Sequence, residues 1–219
     1  MPSGSAPTAR TRIRRLAERA VYEQAALYAV LDAAYVCHIA FYDGTSCHCI
    51  PTACWRDGDY LYVHGSNGGR LVRQLTGDNE VSVAITLMDG LVLAKSAFNH
   101  SMNYRSAVIY GRFEVVADAQ EKRRLLDGFM RHLLPGRELQ ARPGNDKELA
   151  ATSVLALRLD EAAVKIRDGG PEDDAEDMDL PVWAGVLPMQ LMGQAPLAAP
   201  HNTVAAPDYV QTWAGRNVG

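Results

Sequence analysis

The sequence lacks any uninterrupted apolar run of the ~20 residues that are needed to cross a bilayer. Its most apolar stretch, residues 25–42, is interrupted by Asp32 and His38. The opening residues, MPSGSAPTARTR, contain no apolar segment of the kind found in secretory signals. The formal net charge is only −4, so no overall basic field favours nucleic acid. We therefore expect a cytoplasmic protein with no membrane or nucleic-acid partner.

Common nucleotide and redox motifs are missing as well. No GxGxxG follows a predicted strand and no βαβ alternation is visible, which argues against a Rossmann dinucleotide fold. No Walker GK[ST] sequence and no CxxC pair occur. In a chain without a signal, we expect reduced thiols at its four cysteines, Cys37, Cys47, Cys49 and Cys54. Three of them, Cys37, Cys47 and Cys49, form a cluster with His38 and His48. This cluster favours buried core cysteines, with a zinc-stabilised β-domain as the alternative.

What the sequence does contain is typical of a globular protein, with 47% hydrophobic and 22% charged residues in 219. Charge is uneven, since Arg10–Arg19 is basic and Glu172–Asp179 is acidic. The simplest interpretation is that both stretches are solvated segments. The alternative is that each faces another subunit or an anionic ligand. We expect a flexible segment over residues 1–15, one domain over 16–170 and an extended Pro- and Ala-rich arm over 171–219.

The hydrophobic spacing predicts a few helices around many short strands. One amphipathic helix is expected over Glu18–Leu31, a short one over Gly68–Leu75, and a third over residues 118–134 with Asp118 as its N-cap. Strand-like segments between them are separated by Asp-Gly turns, at Asp43, Asp57 and Asp89. This pattern predicts a mainly β fold with flanking helices, built as a small antiparallel barrel.

The stretch HGSNGGR, residues 64–70, follows the third predicted strand. Glycines let main-chain amides approach an anion, Ser66 offers a hydroxyl, and Arg70 can fork onto phosphate oxygens. A helix starting just beyond would add a favourable dipole. The spacing alone favours a plain tight turn, with phosphate binding as the alternative.

Two further segments are candidates for a site. The polar segment Ser96–Ser106 separates two predicted strands, and within it His100 and Tyr104 are potential proton donors. It is equally well explained as a solvated loop. Trp183, with a proline on either side, is either a packing anchor or an aromatic wall beside a planar ligand.

Taken together, three segments that begin at Tyr60, Ala94 and Ala162 occur in a familiar order and spacing. They read YLYVHGSNGGRLVRQL, AKSAFNHSMNYRSAVIYGRFEVV, and AAVKIRDGG followed by LPVWAGVLP. In these segments the chain, from about Arg14 to Pro188, resembles the flavin-nucleotide-binding branch of the pyridoxamine 5′-phosphate oxidase-like superfamily. That branch lies close to the nitroimidazole-resistance (Nim-type) reductases. The resemblance implies a dimeric, antiparallel Greek-key FMN-binding split β-barrel, with FMN at the subunit interface.

The resemblance also implies which residues bind the flavin. The phosphate would be held by His64, Gly65, Ser66 and Arg70. The isoalloxazine ring would lie along Ile50, Pro51, Thr52 and Ala53. Lys95 and Ser96 would approach the flavin, and Trp183 would reach the flavin region of the partner subunit. His64 and His100 are the candidates for protonating a reduced substrate, and no catalytic residue is otherwise indicated.

The chain departs from the oxidases of the superfamily. Their Arg-x-Val-Leu-Leu-Lys segment is replaced by HCIPTAC, and their Ser-Arg-Lys phosphate motif is reduced to Gly69-Arg70-Leu71. Vitamin B6 oxidase activity is therefore not expected. The resemblance implies instead an FMN-dependent oxidoreductase that uses NADH or NADPH to reduce a small electron-poor molecule. A non-enzymatic flavin carrier or sensor, and a split barrel that binds haem or a deazaflavin, are the alternatives.

Overall fold

The structure is a computed structural model that describes Gly4 and residues 6–219. It contains mainly antiparallel strands with a few short helices, as the sequence predicts. The strands are β1 (Ala20–Val21), β2 (Val36–Tyr42), β3 (Cys47–Asp57), β4 (Tyr60–Ser66), β5 (Val81–Leu93), β6 (Ser101–Gly111), β7 (Glu114–Val115), β8 (Thr152–Arg158), β9 (Ala162–Arg167) and β10 (Gly185–Pro188). The α-helices are α1 (Gln24–Asp32), α2 (Arg70–Leu75), α3 (Ala119–Leu133), α4 (Asp146–Ala151) and α5 (Asp208–Gln211).

The chain divides into two compact units. Unit 1 comprises Met1–Ile85 and Ala107–Val164, and unit 2 comprises Thr86–Ser106 and Lys165–Gly219. The hydrogen-bonded strand order is β1-β9-β6-β5-β2-β3-β4-β8-β7, and β10 pairs with β5. The unit boundaries fall within β5, β6 and β9. The predicted domain limits, 16–170 and 171–219, remain a prediction, and part of the predicted flexible segment 1–15 lies outside the described residues.

Unit 1 contains a packed aromatic core between the sheet and α3. Trp55 on β3 is stacked on Tyr62 of β4, with ring centroids 5.7 Å apart, and it also contacts Phe129 of α3 at 5.1 Å. Leu125 of α3 is almost completely buried in the same cluster. The helix begins where the sequence predicts, because the Asp118 carboxylate accepts a hydrogen bond from the Glu121 amide. This core holds β3 and β4, the strands that lead to the glycine-rich turn.

Unit 2 is organised by main-chain and polar contacts. Strand β10 pairs with β5 antiparallel, in a register that places Pro188 opposite Gly90. Arg167 is buried, and its guanidinium donates to the Asn103 side chain and to the carbonyls of Gly169 and Gly170. A charged group can be buried in this way only where acceptors surround it. These contacts fix the chain at the start of the C-terminal arm.

The first predicted helix is wrong at its N-terminal end. The prediction began at Glu18, whereas α1 begins at Gln24. Residues 17–19 form a 3-10 turn, and the two residues after it form β1, which lies next to β9 in the sheet. Pairing with a strand far along the chain therefore overrides the local helical spacing.

The turn predicted at Asp89-Gly90 is also wrong, because β5 runs without a break from Val81 to Leu93. Asp89 is held across the sheet by Arg105, and a Cβ atom at Gly90 would lie 2.9 Å from the Leu187 carbonyl oxygen. Close approach of β10 thus requires the glycine here. The turns at Asp43-Gly44 and Asp57-Gly58 are confirmed, with φ of 95° and 56° at their glycines.

The cysteines divide into two pairs. Cys37 is buried, as predicted, and Cys54 is buried as well, whereas the expectation of core positions is wrong for Cys47 and Cys49, which are exposed. Pairing of β3 with β4 begins only at Cys54. The part of β3 before Cys54 therefore lacks β4 as a neighbour and is more exposed than the part after it. No group of three or more His, Cys, Asp or Glu residues in the described chain is arranged to hold a metal ion. The zinc alternative therefore has no geometric support.

None of the helices within the described residues is long and apolar enough to cross a membrane.

Candidate functional site

The glycine-rich turn joins β4 to α2 in unit 1, where the sequence places it. The Gly69 amide donates to the Ser66 carbonyl over 2.8 Å and closes the turn. A Cβ atom at Gly65 would lie 2.8 Å from the Val72 side chain, and one at Gly69 would lie 3.0 Å from the Ser66 carbonyl oxygen. Any larger residue would therefore push α2 away from the strand. The turn is tight because α2 packs directly on it.

Two side chains of the turn are open to solvent. Ser66 and Arg70 are both exposed. The amides in the first turn of α2 lack carbonyl partners within the helix, as they do at every helix start. A hydroxyl, a guanidinium and unpaired amides therefore lie within one short segment. This set of donors is suited to an oxyanion.

Arg70 is also connected to the β2–β3 hairpin. Its Nη2 lies 3.2 Å from Asp43 Oδ2 and 2.8 Å from His48 Nε2. His48 Nε2 in turn lies 2.7 Å from Asp43 Oδ2. The Thr45 hydroxyl and the amides of Ser46 and Thr45 bind the same carboxylate and hold the pKa of Asp43 well below its usual range. Asp43 is therefore a permanent negative charge beside Arg70 near neutral pH.

His64 lies in a different environment from Arg70. Its ring centroid is 4.7 Å from that of Phe129 and 5.8 Å from that of Trp55. Its Nδ1 is buried without a partner among the described residues, and so is the Trp55 indole nitrogen. Burial lowers the pKa of His64 from its ordinary value of 6.5, so this imidazole is uncharged at neutral pH. It faces the aromatic core, and the exposed donors of the turn are those of Ser66 and Arg70.

The segment predicted to follow the flavin ring, Ile50–Ala53, lies near the middle of β3. It pairs with β2 in register, with Ile50 opposite Ile39 and Pro51 opposite His38. Pro51 is exposed, and the strand is not yet paired with β4 at this point. A proline is tolerated here because the position needs no second ladder bond. Among the described residues, no strand pairs with the second backbone edge of this segment.

In unit 2 the residues predicted to approach the flavin form hydrogen bonds within the protein. The amides of Lys95 and Ser96 both donate to Asp173 Oδ1, over 2.8 and 3.2 Å, and the Lys95 ammonium donates to the Leu180 carbonyl. His100 is exposed, and its Nδ1 lies 2.9 Å from the Ser96 carbonyl oxygen. A carbonyl can only accept, so Nδ1 carries the proton and Nε2 keeps its lone pair. The indole of Trp183 is 63% exposed.

Two residues of the turn's surroundings were not identified from the sequence as part of this site. Asp43 was interpreted only as a hairpin residue, and His48 only as a member of the cysteine and histidine cluster. The hairpin fold brings both to Arg70, which is more than twenty residues away in sequence. The sequence shows an Asp-Gly hairpin with a histidine on its second strand. This pattern does not indicate which distant residue the hairpin contacts in the fold.

Comparison with known proteins gives consistent matches. The family model described as Pyridoxamine 5′-phosphate oxidase matches residues 23–166. Among the curated proteins, none matches this chain. Among solved structures, the flavocytochrome Anf3 from Azotobacter vinelandii is 36% identical, with a TM-score of 0.91 over 97% of this chain and 100% of that one.

Two other solved structures are informative. The FAD and haem binding protein from Mycobacterium smegmatis is 35% identical, with a TM-score of 0.86 over 90% of this chain and 98% of its own. A Bacteroides thetaiotaomicron protein assigned to 5-nitroimidazole antibiotic resistance is 23% identical, with a TM-score of 0.56 over 67% of this chain and 86% of its own. At that identity it supports the fold alone. The family match covers most of the chain and the resemblance stated from the sequence is confirmed: the chain belongs to the pyridoxamine 5′-phosphate oxidase family and has its split-barrel fold.

Proposed function

We propose that the chain is a flavin-dependent oxidoreductase that holds the flavin phosphate at the turn between β4 and α2. The observation that carries the proposal is the tight Ser66–Arg70 turn, which presents a hydroxyl and a guanidinium on one exposed segment at the start of α2. Such donor sets bind phosphate oxygens well. The bound flavin would supply hydride or electron transfer, and the chain would bind and orient it.

The cluster of Arg70, Asp43 and His48 sets the charge at this position. Asp43 cancels part of the Arg70 charge and would repel a phosphate placed directly beside it. We infer that the phosphate binds on the side of Arg70 that faces the turn, with Asp43 holding the guanidinium from the other side. In this arrangement Asp43 orients Arg70 and does not touch the ligand.

The flavin ring would lie along Ile50–Ala53, whose free backbone edge can meet the polar edge of the isoalloxazine. The proposed electron donor is NADH or NADPH, and the acceptor is a small electron-poor molecule. Of the two predicted proton donors, His64 is the weaker candidate, because burial keeps it uncharged. The proposed location is the cytoplasm.

Titration of flavin-free protein with FMN tests the proposal. We expect the flavin fluorescence to be quenched as one FMN binds per chain. Arg70→Gln should weaken binding by about tenfold or more, because a hydrogen bond to a charged group is lost. Arg73→Gln, an exposed arginine on the same helix, is the matched control and should leave the affinity unchanged. Absence of flavin binding, or equal effects of the two substitutions, would contradict the proposal.

The identity of the flavin can be decided in the same preparation. FMN is the form implied by the sequence resemblance, whereas the Mycobacterium smegmatis relative is named for FAD. Both molecules contain the isoalloxazine, the ribityl chain and the first phosphate, so the turn suits either. Acid release of the flavin followed by chromatography separates the two. Reduction of the bound flavin by NADH or NADPH then distinguishes an enzyme from a flavin carrier.

The proposed assembly is a homodimer with the flavin at the subunit interface. Support comes from the outward face of β2 and β3, which bears exposed apolar and small side chains, among them Val36, Tyr42, Cys47, Cys49 and Pro51. Monomeric proteins rarely leave such a face open to water. The solution mass, from light scattering on a gel-filtration column, tests this directly. A monomer at micromolar concentration would contradict it.

A second candidate function is a flavocytochrome that carries haem as well as flavin. It is favoured because the two relatives at 35–36% identity, which cover 90% or more of this chain, are named for haem or as a flavocytochrome. The chain offers a suitable iron ligand. His100 is exposed, its proton is fixed on Nδ1 by the Ser96 carbonyl, and its Nε2 keeps a free lone pair.

The haem candidate has its own spectroscopic test. If haem binds, the protein should show a Soret band, either as purified or after addition of haemin, and His100→Ala should shift or abolish it. Added imidazole should restore the band in that variant if His100 is the ligand. His201→Ala, which changes another exposed histidine of unit 2, is the control. No Soret band under either condition would exclude the flavocytochrome and leave the flavin proposal untouched.

A further inference from the structure

A cavity of about 480 Å³ lies within unit 2 and is separate from every residue assigned above to the flavin or haem. Small-molecule sites are typically of ~300–1,000 Å³ and mostly apolar, with a few converging polar groups. This cavity fits that description. Its apolar wall is formed by Leu87, Met88, Met189 and Leu191, and its polar side by Asp89 and Arg105.

The wall is built from three stretches of the chain that hold one another in place. The Met189 amide donates to the Asp89 carbonyl, which continues the pairing of β10 with β5. The last residues return alongside the arm, where the Val218 amide donates to the Leu191 carbonyl over 2.9 Å. Asn217 forms a β-bridge with Met192. The cavity is thus framed by backbone hydrogen bonds as well as by side chains.

The charged groups of the polar side form one ion pair, and the uncharged polar residues Thr86, Gln190 and Asn217 also line the cavity. Arg105 donates through Nε and Nη2 to the two oxygens of Asp89, over 3.0 and 2.7 Å. Among the described residues no acceptor contacts Arg105 Nη1, although the side chain is only 31% exposed. The pair therefore has no net charge but keeps one strong donor free for a ligand.

The two walls together define the ligand. Methionine sulfur packs well against aromatic ring edges, and the leucines favour an apolar body. An oxygen that can accept from Arg105 is favoured, but a second carboxylate would face the charge of Asp89. We propose that this cavity binds a neutral aromatic carbonyl compound, with the ring between Met88 and Met189 and the carbonyl oxygen on Arg105. Binding here needs no flavin, so this site goes beyond the proposed function.

Equilibrium dialysis of the full chain with three matched probes tests the proposal. The probes are 2-acetylnaphthalene, 2-naphthoate and 2-ethylnaphthalene, which share the ring and differ in the polar group. We expect the ketone to bind once per chain and about tenfold or more tighter than the other two, since only it gains the hydrogen bond without adding charge. Tightest binding of the carboxylate, equal binding of ketone and hydrocarbon, or no binding would each overturn the proposal.

Two substitutions locate the site. Met189→Trp should fill the cavity and weaken ketone binding by about tenfold or more, while Met178→Trp, another exposed methionine of unit 2, should not. Arg105→Lys should remove the preference for the ketone over the hydrocarbon, because the forked geometry is lost while the charge opposite Asp89 is kept. If Met189→Trp binds the ketone as well as the unchanged protein does, the cavity is not the site. Flavin titration of the same samples shows separately whether the flavin proposal holds.

Discussion

Unit 1 and unit 2 differ in how many of their apolar side chains are buried. Almost all buried apolar side chains belong to unit 1, from Leu31 on α1 to Leu125 on α3, whereas unit 2 buries only Val92 and Ala94 among the described residues. Most of the exposed large apolar side chains lie in unit 2, among them Phe98, Leu180, Val182, Trp183, Leu187, Leu191 and Leu197. Unit 1 has its own hydrophobic core, whereas unit 2 exposes many of its apolar side chains to solvent.

The difference indicates which unit presents apolar surface for binding. Exposed apolar side chains on this scale mark surfaces that bind a ligand or another chain. The following experiments ask whether the two units differ in solution in the way their burial indicates.

The largest contrast is expected between two tryptophans. Trp55 of unit 1 is 1% exposed and Trp183 of unit 2 is 63% exposed. Trp55→Ala should lower the free energy of unfolding by about 3–5 kcal/mol, because a large buried ring leaves a cavity. Trp183→Ala should change it by no more than about 0.5 kcal/mol at low protein concentration. Urea unfolding followed by far-ultraviolet circular dichroism measures both, and equal losses would contradict the division into two kinds of unit.

A smaller loss is expected from the polar centre of unit 2. The Asn103 side chain accepts from Arg167 and donates to the Gly169 carbonyl over 3.1 Å. Asn103→Ala should cost about 2 kcal/mol of unfolding free energy, because a buried guanidinium loses an acceptor.

Two substitutions serve as controls in the same unfolding experiment. Asn103→Asp, which keeps the acceptor, should recover part of the loss. Asn202→Ala, at an exposed asparagine of the same unit, should cost little. If Asn103→Ala has no effect, unit 2 is not held by this polar contact.

The apolar surface of unit 2 is tested by a charge placed on it. Phe98 is 92% exposed on unit 2, and Leu139 is 84% exposed on unit 1. If a second copy covers unit 2, Phe98→Glu should raise the dimer dissociation constant by about tenfold or more, since an apolar anchor is replaced by a desolvated charge. Leu139→Glu is the matched control. Sedimentation equilibrium measures both, and an unchanged constant for Phe98→Glu would place the interface elsewhere.

The smallest effect concerns the pH dependence of unit 1. The pKa of His64 is lowered by burial, so the folded chain binds this proton less readily than the unfolded chain. Stability from this group is present above the ordinary value of 6.5 and is lost as the pH falls from there through the lowered pKa of the folded chain. His64→Phe should therefore reduce the loss of thermal stability between about pH 7.5 and 5.5. His201→Phe should leave that loss unchanged, and an identical loss in His64→Phe would show that other groups cause it.

The sequence predicts the parts of the fold that depend on neighbouring residues. The hairpin at Asp43-Gly44, the start of α3 at Asp118 and the turn before α2 all follow from local hydrogen bonds and backbone angles. The prediction fails where pairing with a strand distant in sequence determines the local conformation. Gly90 is opposite Pro188, which lies almost a hundred residues further along, and local turn propensity gives no sign of this pairing.

The candidate site is predictable to the same degree. The turn that carries Ser66 and Arg70 is visible in the sequence, because glycine spacing and a following helix are local features. The partners of Arg70 are not, since Asp43 and His48 reach it only after the hairpin folds. The roles assigned to the flavin-binding residues therefore remain predictions until a ligand is bound.

The straight passage of β5 through Asp89-Gly90 has a consequence for the chemical lifetime of the protein. Asp-Gly bonds age fastest in flexible turns, where the glycine amide can attack the aspartate side chain and form a cyclic imide. In β5 the backbone is extended and Arg105 holds both carboxylate oxygens, so that attack is disfavoured. A dipeptide that is normally a weak point for spontaneous isomerisation is thus protected, and its aspartate lines the cavity.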